Sequence, residues 1–157
     1  RKNEITQQLN TNNFYNARLD NVKILYIPEY LFADNKLFTL SYHQLLSGFD
    51  LGIFTSYYEP WGYTPHECAA AAVSVVTSNT AGFGRFISKH IKENEISIIN
   101  REKQTREKQL LELVSLLELK ANRTQSDILH DSALARQTSK HCEWKQFITH
   151  YLDAYGL

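Results

Sequence analysis

Methionine is absent from this 157-residue chain, which starts at Arg1. The sequence therefore reads as a piece of a longer polypeptide. Cysteine is nearly absent: Cys68 and Cys142 stand far apart, with no C-x-x-C spacing. That argues against a disulfide framework and leaves two reduced thiols in or near the core of a cytosolic protein. Net charge is missing too, because Lys+Arg and Asp+Glu balance at 17 each. No overall field marks a partner such as nucleic acid, an anionic membrane or an acidic substrate, so a charged ligand must be recognised locally. No apolar run approaches the roughly 20 residues needed to span a bilayer, and the polar start is not a signal peptide. The six histidines are scattered, and His141-Cys142-Glu143 is too local to chelate one ion, so no metal is expected. Internal repeats and low-complexity linkers are also lacking.

What remains is an ordinary globular composition, 43% hydrophobic and 22% charged, and a length that suits one core. Glu4–Leu9 reads as the tail of a helix ended by Asn10–Asn13. Asn21–Ile27 is a β-branched run stopped by Pro28, and so predicts a strand. Leu37–Leu46 predicts a short helix that stops at Gly48. Leu51–Thr55 is a continuous apolar strand, as expected when both faces are covered. A helix from Thr64 or Pro65 to about Ala72, a strand at Val73–Thr77, a short helix near Arg85–His90 and an edge strand at Ile96–Ile99 follow. Strands alternating with helices predict an α/β fold, a Rossmann-like parallel sheet with helices on both faces. Residues 103–157 are then C-terminal helices, packing on a Rossmann-like part at 1–102. These helices run over Lys103–Ala121, with Leu110, Leu113, Val114 and Leu117 as one stripe, then Ser126–Lys140. The last is an amphipathic helix from Trp144 to Tyr155 that should pack on its own domain or on a neighbour.

Only three prolines occur in the chain, and two of them fall in one crowded loop with a glycine and four aromatics, Ser56–Glu67. It follows a strand, where open α/β sheets bind their ligands. Thr64-Pro65-His66-Glu67 has the spacing of a capping box with proline at the first helical position. Such a helix start also offers free N–H groups to a phosphate, and Gly62 lets the backbone approach closely. A carboxylate in that turn would compete with phosphate, so Glu67 is placed to the side, accepting from sugar or ribose hydroxyls. Glu59, between Tyr58 and Pro60, gains nothing from a loop role and loses hydration if buried. Paired carboxylates suit acid–base chemistry, and a retaining glycosidase pair is one reading of them.

The full string Tyr57-Tyr-Glu-Pro-Trp-Gly-Tyr-Thr-Pro-His-Glu-Cys68, with Ser74–Asn79 and Ala81-Gly-Phe-Gly84, closely resembles the eukaryotic-type glycogen synthases. The likeness extends upstream through Pro28–Leu31 and Tyr42–Gly48, and downstream to Asn122-Arg-Thr124 and the tryptophan-bearing last helix. These are retaining glycosyltransferases of the GT-B architecture that extend an α-1,4-glucan from UDP-glucose. The resemblance implies part of the C-terminal lobe of such an enzyme. Glu59 and Glu67 become the pair of the family's E-x7-E motif, with Glu59 catalytic and facing the transferred glucose and Glu67 holding the ribose. Trp61, Gly62, Tyr63 and Thr64 would surround sugar and diphosphate, and Tyr42, otherwise a core tyrosine on a helix, would stack on uracil.

The same resemblance implies UDP-glucose as donor, an α-1,4-glucan as acceptor, no other cofactor, a cytoplasmic location and a missing N-terminal lobe of the same polypeptide; a homo-oligomer is compatible with it. The family's cationic Arg and Lys lie upstream of this stretch, so the piece alone is expected to be inactive. Animal and fungal members carry an arginine-rich helix before the Asn-Arg-Thr match; here only Lys120 and Arg123 stand near it, which implies different regulation or none. His66 replaces a small residue and reads as solvent-facing. A catalytically silent nucleotide-sugar-binding domain, or a transferase with another acceptor, are the alternatives, and a glycoside hydrolase is the weakest.

Overall fold

The computed structural model describes residues 2–32 and 38–156. Helix α1 spans Lys2–Thr11, and a non-repetitive stretch leads to α2, Tyr42–Leu46. From there strand and helix alternate: β1 Leu51–Ile53, α3 Tyr63–Ala70, β2 Ser74–Ser78, α4 Gly82–His90 and β3 Ile96–Ile99. Helices α5 Arg106–Ala121, α6 Gln125–Lys140 and α7 Trp144–Tyr155 complete the chain. The fold is α/β, with a three-stranded parallel sheet in the order β1-β2-β3 among the described residues. Gly52 pairs with Val75, and Val76 with Ser97.

The central strand β2 is buried along all its length, as a parallel strand covered on both faces must be. Phe83 and Ile87 of α4 are fully buried, each contributing about 1.5–3 kcal/mol of apolar burial. Helix α3 packs against α6, whose Ala135 joins the same core as Cys68 and Ala69 of α3. No helix of the described residues is long and apolar enough to cross a membrane.

Several expected elements differ. Asn21–Ile27 forms no strand: it has no regular structure and pairs with no strand of the described residues, with Val22 56% and Leu25 70% exposed. Its apolar residues have no sheet edge to pack beside, and β propensity without a ladder partner does not make a strand. Instead the Asn16 side chain imitates a partner, donating to the Ile24 carbonyl and accepting from the Ile24 N–H, each at 2.8 Å. Consequently Ile96–Ile99 is the third strand rather than a fourth, and lies at the sheet edge as expected.

Helix α2 is shorter than predicted because Ser41 caps it. The Ser41 N–H donates to Gln44 Oε1 at 2.9 Å and the Gln44 N–H donates back to Ser41 Oγ, a capping box that fixes the start at Tyr42. Leu40 lies outside the helix, and Leu37 outside the described residues. Thr105 likewise starts α5 by accepting from the Lys108 N–H, three residues later than the pattern suggested. On α5 the expected stripe is rotated: Leu110 and Val114 are exposed, while Leu113, Leu116, Leu117 and Lys120 turn inward.

Lys120 and Arg123 are not free surface cations. Lys120 contacts Glu95 and lies 3.4 Å from Asp131, whose Oδ2 also accepts from Arg123 Nη1 at 2.7 Å. Burial pulls the Lys120 ammonium pKa down, against the opposing pull of Asp131. Arg123 further donates to Ser74 Oγ at 2.9 Å, tying the α5–α6 turn to the start of β2.

Candidate active site

The loop from Ser56 to Gly62 leaves the carboxyl end of β1 and is pinned to the next crossover by backbone and hydroxyl bonds. Ser78 and Thr80 both donate to the Ser56 carbonyl, at 2.8 and 2.9 Å. The Gly82 N–H donates to the Glu59 carbonyl at 3.0 Å, and Glu59 forms an isolated parallel bridge with Ala81. The approach is so close that a Cβ at position 82 would lie 2.1 Å from the Pro60 carbonyl oxygen, so only glycine fits. Glu59 is thus held through its main chain and is half-buried; among the described residues its carboxylate makes no ion pair or side-chain hydrogen bond.

Gly62 ends the loop at φ +99, a left-handed conformation that L side chains rarely adopt, and serves as N-cap of α3. This corrects the predicted capping box. Thr64 and Pro65 are already helical, so Thr64 does not cap, and α3 has no side-chain cap at all. The physical reason is that the left-handed glycine turns the chain into the helix one residue before Tyr63, which moves the motif inside the first turn. The N–H groups of Gly62, Tyr63 and Thr64 are left without intrahelical partners, and Tyr63 and Thr64 are exposed.

Glu67 is free to turn elsewhere. It lies near Tyr42: burial raises the Tyr42 phenol pKa first, and the negative charge of the Glu67 carboxylate raises it further. The two residues expected at the nucleoside are thereby brought together from α2 and α3. Glu67 also lines an open groove of about 410 Å³ with His43, Ser47 and Arg136.

Trp61 points the other way. Its ring lies edge-on to Phe83, centroids 5.9 Å apart, and to Phe147 of α7 at 5.8 Å. Its side chain anchors the loop in an aromatic cluster, so a ligand on the open side would meet its main chain. His66 is not solvent-facing as expected. It stacks on Phe83 at 5.4 Å and its Nε2 lies 3.2 Å from the Ser139 carbonyl of α6, because α6 covers that face of α3.

Sequence reasoning missed Arg101. It donates to the Thr55 carbonyl and stacks its guanidinium 3.8 Å over the Tyr57 ring, bracing the loop from β3. Nothing local marks this, since the partners are 46 residues apart.

Two thiols report on the packing. Burial pushes Cys68 up to about 11 and Cys142 up to about 12. Both folded values lie above the unfolded ones, so the stabilisation is complete below the ordinary thiol value of 9.0 and is lost as pH rises through the folded values. The melting midpoint is expected to fall steadily between pH 9 and 11, with part of that fall removed in Cys68→Ala; a midpoint flat over this range would contradict the burial of these thiols.

An open parallel sheet with a glycine-started, uncapped helix after its first strand defines a Rossmann-like α/β lobe. The Glycogen synthase family model matches residues 1–157, the whole chain. Glycogen [starch] synthase isoform 2 of Saccharomyces cerevisiae is 32% identical over 145 residues, covering 89% of this chain and 21% of the yeast protein. Glycogen [starch] synthase of Caenorhabditis elegans is 35% identical over 116 residues, 72% of this chain and 17% of that protein. The liver protein of Mus musculus is 43% identical over 79 residues, 50% of this chain and 11% of its own length. The chain belongs to the glycogen synthase family, a family of glycosyltransferases. It spans about a fifth of the length of the curated relatives it matches.

Proposed function

We propose that this chain is the later part of the nucleotide-sugar lobe of a retaining glucosyltransferase that transfers glucose from UDP-glucose to the end of an α-1,4-glucan in the cytoplasm. The observation that carries this reading is the meeting of Tyr42 and Glu67 beside the three free amides that open α3. On this reading Tyr42 stacks on uracil and Glu67 accepts from the ribose hydroxyls. The amides of Gly62, Tyr63 and Thr64 face the diphosphate, where negative charge grows as the glycosidic bond breaks; preorganised donors lower the barrier most at that point. Trp61 serves through its main chain, and Glu59 faces the transferred glucose. The departing phosphate takes the acceptor hydroxyl's proton on the same face, giving retention.

The lobe that closes the cleft, and the cations that neutralise the diphosphate, belong to the rest of the polypeptide. Transfer of labelled glucose to glycogen by the full-length parent should therefore require UDP-glucose, with ADP-glucose as the comparison donor, while the 157-residue chain should show none. Appreciable glucan synthesis by the chain alone would overturn the division of labour; no transfer by the parent with either donor would favour a catalytically silent nucleotide-sugar-binding domain.

A further inference from the structure

Beyond the loop of Glu59 and Glu67, a second cavity of about 210 Å³ opens at the carboxyl ends of β1 and β3, and its lining includes neither glutamate. Arg101, Arg106, Gln109 and Tyr57 supply its polar wall, and Ile99 and Leu113 part of an apolar floor; no carboxylate of the described residues lines it. Glu102 and Glu112 are engaged elsewhere, and Glu107, next to Arg106 in sequence, is exposed and is not among the lining residues. Glu102 pairs with Arg85 at 2.8 Å, and Glu112 accepts from the Asn100 N–H.

Arg101 is fixed by its bond to the Thr55 carbonyl and its stacking on Tyr57, while Gln109 donates to the Arg101 carbonyl at 3.2 Å. Its Nε, however, is buried and has no hydrogen-bond partner among the described residues. A buried donor left unpaired costs about 1–3 kcal/mol, and a guanidinium more, so such a group calls for a partner. Arg106, at the start of α5, likewise makes no ion pair among the described residues. A preorganised guanidinium beside a second one, with no acid to neutralise them, is the arrangement that recognises phosphate oxygens. The volume lies below the roughly 300 Å³ at which drug-sized sites begin, which limits the occupant to a small group.

We propose that this cavity binds the phosphate of a small molecule, either the free ion or a phosphomonoester whose body rests on the Ile99–Leu113 floor. The proposal stands independently of the glucosyl-transfer reading.

The test uses the chain itself, labelled with nitrogen-15, titrated with inorganic phosphate and with phenyl phosphate against sodium chloride at matched ionic strength. The Arg101 Nε–H resonance should move and saturate with either phosphate and not with chloride. The melting midpoint should rise by roughly 5–10 °C at about a hundred times the dissociation constant. Arg106→Gln changes an exposed residue, keeps the fold by near-ultraviolet circular dichroism, and should weaken binding at least tenfold. Tighter binding of phenyl phosphate assigns the ester, and equal binding assigns the free ion. An unmoved Arg101 resonance, an equal response to chloride, or undiminished binding by Arg106→Gln overturns the proposal.

Discussion

Glu59→Gln in the full-length parent is expected to lower the kcat of glucosyl transfer by about 10² to 10⁴, with little change in the KM for UDP-glucose. The substitution keeps the shape of the side chain and removes its charge. Glu59 is held by its own main chain, through the bridge to Ala81 and the bond from the Gly82 N–H, so the loop has no structural need of the carboxylate. A charge so placed and left without a partner can act on positive character developing in the transferred sugar, an interaction made mainly in the transition state. Glu67→Gln should behave differently. Bonds to ribose hydroxyls exist in ground and transition states alike, so the donor KM should rise by about tenfold or more while kcat falls less. Steady-state kinetics with UDP-glucose and glycogen would separate the two; undiminished transfer in both variants would reject the roles given to the pair.

Asp131→Ala is expected to cost the fold about 3–5 kcal/mol. Asp131 is the acid between Lys120 and Arg123, at 3.4 and 2.7 Å, and the three side chains are only 13%, 6% and 8% exposed. Among the described residues its removal leaves Lys120 with Glu95 as its remaining acid and Arg123 with none. Urea unfolding should show a lower midpoint at similar slope, and the melting midpoint should drop by roughly 6–20 °C. Glu102→Ala is the control. It breaks the pair with Arg85, whose side chains are 64% and 49% exposed, and should cost less than about 1 kcal/mol. Equal losses in the two variants would mean that the Asp131 cluster is solvated.

The alternation of β1, α3, β2, α4 and β3 was legible in the sequence because each element carries its own period and its own stop. The loop was legible through composition, since two prolines, a glycine, four aromatics and two glutamates crowd into one turn. Asn21–Ile27 misled because strand propensity is a statement about packing beside a partner, and the described residues supply none. The capping box misled because one left-handed residue, Gly62, shifts the helix start and turns a motif at the boundary into a motif within the first turn.

The sequence by itself determined the fold class and the place of the Ser56–Glu67 loop between β1 and α3, both of which depend on residues close along the chain. Only the tertiary structure decided which way each side chain turns. Trp61 and His66 go inward because α6 and α7 cover that face, Glu67 goes to Tyr42 because α2 lies beside α3, and Arg101 reaches Tyr57 because β3 ends next to the loop. These are contacts between elements far apart in sequence, and nothing local encodes them.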